Sequence, residues 1–278
     1  MDFPPELAIG ALPVILAALC GLLIGSFLNV VIYRLPRDLS VVRPRSHCPG
    51  CGHAVRAWDN IPVISYLILR GRCRDCRTPI PLRYPLVEAI TALAFAWFVG
   101  ADGLTWMALR DCIFSALLIA LAFTDLETRL LPEPLTAGGI VIGLGFSWLV
   151  RVNDGTAAAL GVTGRLGSFL DALMGAVAPA LLLWIIGWLF EKLRKKQGLG
   201  FGDVVMIAEV GAFLGVRAAF LTLVAASIAG SVIGIAYILL ARKDHSSYEL
   251  PLGSFLGFAG IFVAAFGAGF IRWYSGFF

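Results

Sequence analysis

Charge is scarce in this sequence. Only 14% of its 278 residues are Asp, Glu, Lys or Arg, while 59% are hydrophobic, and a soluble domain carries about a quarter charged residues. That shortage excludes a water-soluble globular fold. It also turns the net charge of +4 into a statement about membrane topology, with no nucleic acid implied. A basic stretch is missing from the opening Met-Asp-Phe-Pro-Pro-Glu, so the first apolar run reads as a retained span and not as a cleaved signal. No glycine-rich nucleotide fingerprint and no clear internal repeat is present.

What remains is a series of apolar stretches, each long enough to approach the roughly 30 Å of a bilayer core. Hydropathy and helix breakers place eight spans near 10–33, 85–101, 104–124, 135–150, 167–190, 203–215, 217–241 and 251–272. The expected fold is an all-α polytopic membrane protein of about eight transmembrane helices, with a small cytoplasmic zinc-binding domain inserted after the first helix. The segment 203–215 is short and reads equally as a tilted span, a broken helix or a re-entrant element. With eight spans, one side gathers seventeen Lys and Arg, from Arg34 to Arg83, then Arg129, Lys192, Arg194, Lys195, Lys196, Arg242 and Lys243. The other side holds four, Arg151, Arg165, Arg217 and Arg272. The first side is therefore expected to be cytoplasmic. The expected parts are an extracytoplasmic N-terminus with the first helix (1–33), a cytoplasmic four-cysteine domain (34–84) and a membrane core (85–278).

Two of the six cysteines, Cys20 and Cys112, lie in apolar spans and read as packing residues. The other four form Cys48-Pro-Gly-Cys51 and Cys73-Arg-Asp-Cys76. A two-residue turn lets both sulfurs of a pair face one point, and two such knuckles supply the four thiolates of a tetrahedral Zn²⁺. A loop of this size has little core of its own, so a metal staple is physically sensible. Thiol–disulfide exchange is the competing use of C-x-x-C, and a cytoplasmic location speaks against it. His47 and His53 flank the first knuckle, as alternative ligands or as surface residues.

Two acids stand at the ends of apolar helices on the expected cytoplasmic side. Asp125 follows the run Ile113 to Phe123, before Pro132 and Pro134 stop any helix, and Asp203 closes Gly200-Phe-Gly202-Asp203 before a new apolar run. Singly, Asp203 reads as an N-cap and Asp125 as an interfacial acid. Together they have the makings of a proton-sharing carboxylate pair of the aspartic-protease kind. Asp203 at a helix N-terminus would be the base and Asp125 near a C-terminus the acid. Glu127, Glu133 and Glu209 are nearby acids, able to attract positive charge or to cap helices and pair with Arg129 and the loop lysines.

The segments Gly25-Ser-Phe-Leu-Asn-Val-Val-Ile-Tyr-Arg-Leu-Pro36, Asn60-Ile-Pro-Val-Ile-Ser65, Leu69-Arg-Gly-Arg-Cys73, Arg83-Tyr-Pro-Leu-Val-Glu88, Asp125 through Leu131-Pro132, Gly200-Phe-Gly-Asp203 and Glu249-Leu-Pro-Leu-Gly-Ser-Phe-Leu256, with the two knuckles, resemble the type IV prepilin peptidases. The resemblance implies an intramembrane aspartic peptidase in the bacterial inner membrane. It would cut after a glycine to remove the basic leader of prepilins or pseudopilins, then methylate the new N-terminus with S-adenosylmethionine. It carries catalysis onto Asp125 and Asp203, and metal binding onto Cys48, Cys51, Cys73 and Cys76. Val205 and Met206 stand where the family often has lysine and leucine, and Glu133 where it often has aspartate. Gly71 and Arg83 to Glu88 are the first place to look for the methyl donor, although Arg83 and Glu88 also read as interfacial residues that snorkel or pair. A transporter with an aspartate relay and a membrane thiol oxidoreductase are the rival classes.

Overall fold

The computed structural model describes residues 10–152, 154–195, 199–241 and 251–276. Lys196, Arg242, Lys243 and Glu249, and the segment before Gly10, lie outside the described residues. The chain is helical, with α1 (Ala11–Arg34), α2 (Ile64–Ile68), α3 (Arg83–Asp102), α4 (Trp106–Thr128), α5 (Glu133–Phe146), α6 (Thr156–Ala159), α7 (Gly164–Arg194), α8 (Phe201–Leu214), α9 (Val216–Ala241) and α10 (Leu252–Ser275). Six of these, α1, α3, α4, α7, α9 and α10, are long and apolar enough to cross a membrane. The spans expected at 135–150 and 203–215 appear as α5 and α8, of 14 residues each. At 1.5 Å per residue that is about 21 Å, short of a full bilayer core. Pro132 sits at the N-cap of α5, and Gly215 with φ +87° ends α8, so breakers set both lengths.

The chain divides into two compact units, Met1–Ala120 and Leu121–Phe278. In the first, α1 lies on α3 with backbone against backbone. A Cβ at Gly21 would stand 2.7 Å from Ala92 Cα, and one at Gly25 would stand 2.6 Å from Glu88 Cα. The four-residue spacing puts both glycines on one helix face, the usual device for close approach in lipid. Cys112 is buried, but Cys20 is exposed on α1, so the packing role expected of it does not hold; its neighbour Gly21 occupies the contact face.

The excursion between α1 and α3 is anchored at both ends on this helix pair. Buried Arg34 donates to the carbonyls of Ser40 (2.9 Å) and Pro44 (2.8 Å). Buried Glu88 accepts the backbone N–H of Val63 at 2.7 Å. Asn29 donates to the Tyr84 carbonyl at 3.0 Å. Each of these polar groups would be costly to bury alone, and each finds its partner in the loop or its exit.

In the second unit α8 is the most enclosed helix, with Met206, Ile207, Val210, Ala212 and Phe213 fully buried. Two glycines bring α7 against it, because a Cβ on Gly211 would strike the Gly175 carbonyl and one on Gly175 the Gly211 carbonyl. On α5, a Cβ at Gly143 would stand 2.7 Å from the Phe213 ring. Asp154 accepts the N–H of Val216 at 2.7 Å and of Arg217 at 3.2 Å, capping α9 from the distant loop between α5 and α6. On α7, Trp184, Ile185 and Trp188 are exposed, a surface suited to lipid and not to water.

Candidate active site and metal centre

Cys48, Cys51, Cys73 and Cys76 come together in the first unit with all four sulfurs within 4.8 Å of one another. The two knuckles repeat one backbone design. Cys48 N–H donates to the His53 carbonyl and Gly52 N–H to the Cys48 carbonyl; Cys73 N–H donates to Thr78 and Arg77 N–H to Cys73. The residue after each second cysteine, Gly52 or Arg77, takes a positive φ, which folds the turn so that both sulfurs face inward. A Zn²⁺ with bonds of about 2.3 Å sets tetrahedron edges of about 3.8 Å, and the Cys48 and Cys76 sulfurs are 3.6 Å apart. The donor set therefore fits such an ion. Thr78 hydrogen bonds hold the Cys76 thiol down to about 6. At Cys51 a hydrogen bond to the His53 backbone is outweighed by burial and the Cys76 and Cys48 sulfurs, which push the thiol up to about 12, so binding an ion displaces a proton from the cluster. His47 and His53 are exposed and outside the cluster. Arg74 clamps Asp59 through two nitrogens, Nε to Oδ2 at 2.9 Å and Nη2 to Oδ1 at 2.5 Å, and this pairing holds the Asp59 carboxyl below its usual range.

Asp125 and Asp203 both lie in the second unit. Asp125, 5% exposed, sits in the last turn of α4, as its position before the prolines indicated. Its Oδ2 accepts the backbone N–H of Ser254 at 2.7 Å and meets the Ser254 hydroxyl at 2.8 Å. Ser254 lies in the first turn of α10, where N–H groups have no helical partner. Asp203 lies in the first turn of α8 and is close enough to Asp125 for the two carboxylates to interact electrostatically. The proposed contrast between an acid at a helix C-terminus and a base at an N-terminus is therefore offset. Asp125 ends one helix but also faces the positive end of another.

Three glycines explain how the carboxylates are fitted in. A Cβ at Gly200 would stand 3.3 Å from Asp203 Oδ2, and one at Gly253 would stand 3.0 Å from Asp125 Oδ2. A Cβ at Gly202 would meet Leu131 at 2.9 Å, and Leu131 also lies 3.1 Å from the Gly253 position. Leu131 thus touches the surroundings of both acids. Gly200 has φ −73°, so its value here is room for the carboxylate and not access to left-handed backbone.

The Ser254 hydroxyl makes two contacts, to Asp125 Oδ2 and to the Ala122 carbonyl at 2.9 Å. It has one proton. With Asp125 ionised, the hydroxyl donates to the carboxylate; with Asp125 protonated, the carboxylic proton goes to Ser254 and the serine proton to Ala122. The partner therefore serves either state. Ser254, Gly253 and Leu131 had no assigned role in the sequence reading. The available signal was Pro251-Leu-Gly-Ser254 at the start of an apolar run, which is a helix N-terminus with free donors.

Glu127 and Glu133 are exposed, as a charge-attracting role requires. Glu209 is not. It is fully buried in α8, lies against Gly139, and has no hydrogen-bond partner among the described residues. The six residues from Asp203 to Glu209 turn it about 240° around the helix, into the α5 contact. At the site considered for the methyl donor, Glu88 is already engaged by Val63, Arg83 stacks on the Tyr84 ring at 4.7 Å, and Gly71 faces Tyr66. These contacts favour the structural role for that segment and assign none of its residues to a cofactor.

Residues 19–101 match the family described as the bacterial peptidase A24 N-terminal domain, and residues 112–235 match the type IV leader peptidase family. The chain is 38% identical to a prepilin leader peptidase/N-methyltransferase of Aeromonas hydrophila, covering 93% of this chain and 92% of that protein. It is 37% identical to the protein of the same description from Burkholderia pseudomallei (strain 1026b), over 96% of this chain and 91% of the relative. For the Pseudomonas aeruginosa protein of that description the identity is 35%, over 94% and 93%. No solved structure matches.

Proposed function

The chain belongs to the type IV leader peptidase family, and on that premise we propose that it is a prepilin leader peptidase and N-methyltransferase of the bacterial inner membrane. The observation that carries the peptidase half is the convergence of two acids around Leu131, with Asp125 held by the first turn of α10 and Asp203 in the first turn of α8 beside Gly202. In this reading the pair titrates as a unit and shares a proton. One carboxylate takes a proton from the attacking water while the other donates to the scissile carbonyl. Ser254 fixes the Asp125 side chain in either protonation state.

The substrate is a prepilin or pseudopilin with a basic leader, cut after glycine at the cytoplasmic face; with α5 and α8 taken as short crossings, both acids share the side that carries the lysine and arginine excess. A glycine at the cut lowers the cost of unwinding the helix there. The segment 34–84 is a cytoplasmic module in which Cys48, Cys51, Cys73 and Cys76 bind structural zinc, and 85–278 is the peptidase core. S-adenosylmethionine supplies the methyl group in the second activity. The experiment is prepilin cleavage by wild type, Asp125→Asn and Asp203→Asn, with the mass of the mature N-terminus measured. Undiminished cleavage in either variant removes that residue from the pair. A product lacking the mass of one added methyl group refutes the second activity.

A further inference from the structure

A cavity of about 520 Å³ opens beside Ser254, the residue that holds Asp125. One wall is α9, through Ala225, Ala229 and Ile233; the other is α10, through Phe255, Phe258 and Phe262; Leu126 and Ser254 stand at its head. The walls run antiparallel, since Gly230 approaches Phe255 while Gly267 approaches Leu221. Ile233 and Phe255 therefore lie near the Ser254 end, and Ala225 and Phe262 at the far end. From Ala225 to Ile233 is eight residues along α9, which is about 12 Å or a little over two helical turns.

The trough has the form of a helix seat. Ala225 and Ala229 are four residues apart, so their small side chains share a face and admit another helix closely. The aromatic wall is fixed on the opposite side, where Phe258 packs edge-on against Phe123 with centroids 5.8 Å apart. The head of the trough is Ser254, which holds Asp125. A segment lying in it ends against the serine that holds Asp125.

We propose that this trough seats the first two turns of the substrate's apolar helix, on the carboxyl side of the bond that is cut. The identity of the occupant rests on the peptidase reading. Charge at the head of the trough favours a peptide over a phospholipid. A lipid seated the same way would bring its phosphate to Ser254 and the Asp125 carboxyl behind it, whereas a helix preceded by basic residues brings the opposite sign. A helix seated here presents the residues just before its first turn at Asp125, which is where the scissile bond must be.

The test uses the full chain and two synthetic substrates, one with a basic leader, a glycine cut site and a 20-residue apolar helix, the other ending five residues after the cut. Ala229→Phe fills the trough. It is expected to raise KM for the helix-bearing substrate about tenfold or more, while kcat/KM for the truncated one stays within twofold. An equal effect on both substrates, or on neither, overturns the proposal. A photoreactive phenylalanine analogue at Ala229, with Leu182 on α7 as control, gives a readout that needs no turnover. Crosslinking of the helix-bearing peptide from 229 and not from 182 is expected, also in the Asp125→Asn background, and crosslinks to lipid alone refute the proposal. Failure of the peptidase reading would appear separately, as wild-type protein that cleaves neither substrate.

Discussion

Replacing Gly253 by alanine adds one methyl group directly against the Asp125 carboxylate. The new Cβ would stand 3.0 Å from Asp125 Oδ2 and 3.1 Å from Leu131 Cδ1. Ordinary contacts begin near about 3.5 Å, so something must move by about half an ångström. Asp125 cannot yield freely, because Oδ2 is held by the Ser254 N–H at 2.7 Å and meets its hydroxyl at 2.8 Å. Two effects then oppose each other in stability. Alanine improves on glycine in a helix by up to about 1 kcal/mol, while the crowding costs a similar amount, so thermal unfolding in detergent should shift little. Catalysis has no such compensation. Since an ångström of misplacement costs about a hundredfold, half of that should lower kcat about tenfold, with KM for prepilin little changed. A kcat within twofold of wild type, or a loss that merely tracks unfolding, refutes the reasoning.

Other perturbations address separate parts of the molecule. Ser254→Ala removes the hydroxyl but keeps the N–H; losing a hydrogen bond to a charged group costs about 1.5–3 kcal/mol, so kcat should fall roughly 10- to 150-fold, and Ser254→Thr should recover part of it. Gly211→Ala drives a methyl into the Gly175 carbonyl and should destabilise the second unit by about 1–3 kcal/mol or more, read by thermal unfolding in detergent. Cys48→Ser or Cys73→Ser should abolish stoichiometric zinc in elemental analysis, and a strong chelator should change Trp58 fluorescence in wild type. Asp59 is held below its usual range by Arg74, so its contribution to the loop is fully present above about pH 4 and is lost as pH falls through the lowered value. Asp59→Asn should remove that acid transition from the Trp58 signal, and an unchanged midpoint would refute the assignment.

Much of the fold was readable because lipid imposes a simple rule. A chain this poor in charge must spend its apolar runs as spanning helices, and their positions followed within a few residues. The two short helices were harder to place. Apolarity marks a run as buried in lipid or protein, but its length is set by breakers such as Gly215, whose effect depends on local backbone. The cysteine cluster was fully legible, since ligand type and spacing carry nearly all the information a tetrahedral site needs. Asp125 and Asp203 were legible as helix-end acids. Ser254 and Leu131 were not, because their roles arise from contacts across more than fifty residues of chain, and neither residue type is chemically conspicuous. Glu209 misled for the same reason: charge in a sequence suggests an exposed face, and only the α5–α8 packing turns it inward.

The geometry also changes what separates the two acids. Helix ends alone would distinguish Asp125 from Asp203, but the first turn of α10 supplies Asp125 with the Ser254 N–H, a donor that the end of α4 lacks. Each carboxylate is thus governed by the helix N-terminus it faces, α8 for Asp203 and α10 for Asp125, with Leu131 in contact with both approaches. The relative placement of the acids therefore depends on how α8 and α10 are held, more than on the helix that carries Asp125. The backbone contact of Gly175 with Gly211 fixes one, and the packing of α10 on α9 fixes the other. A substrate lacking its apolar helix forgoes the binding energy of the trough and should lose kcat as well as affinity relative to the intact one.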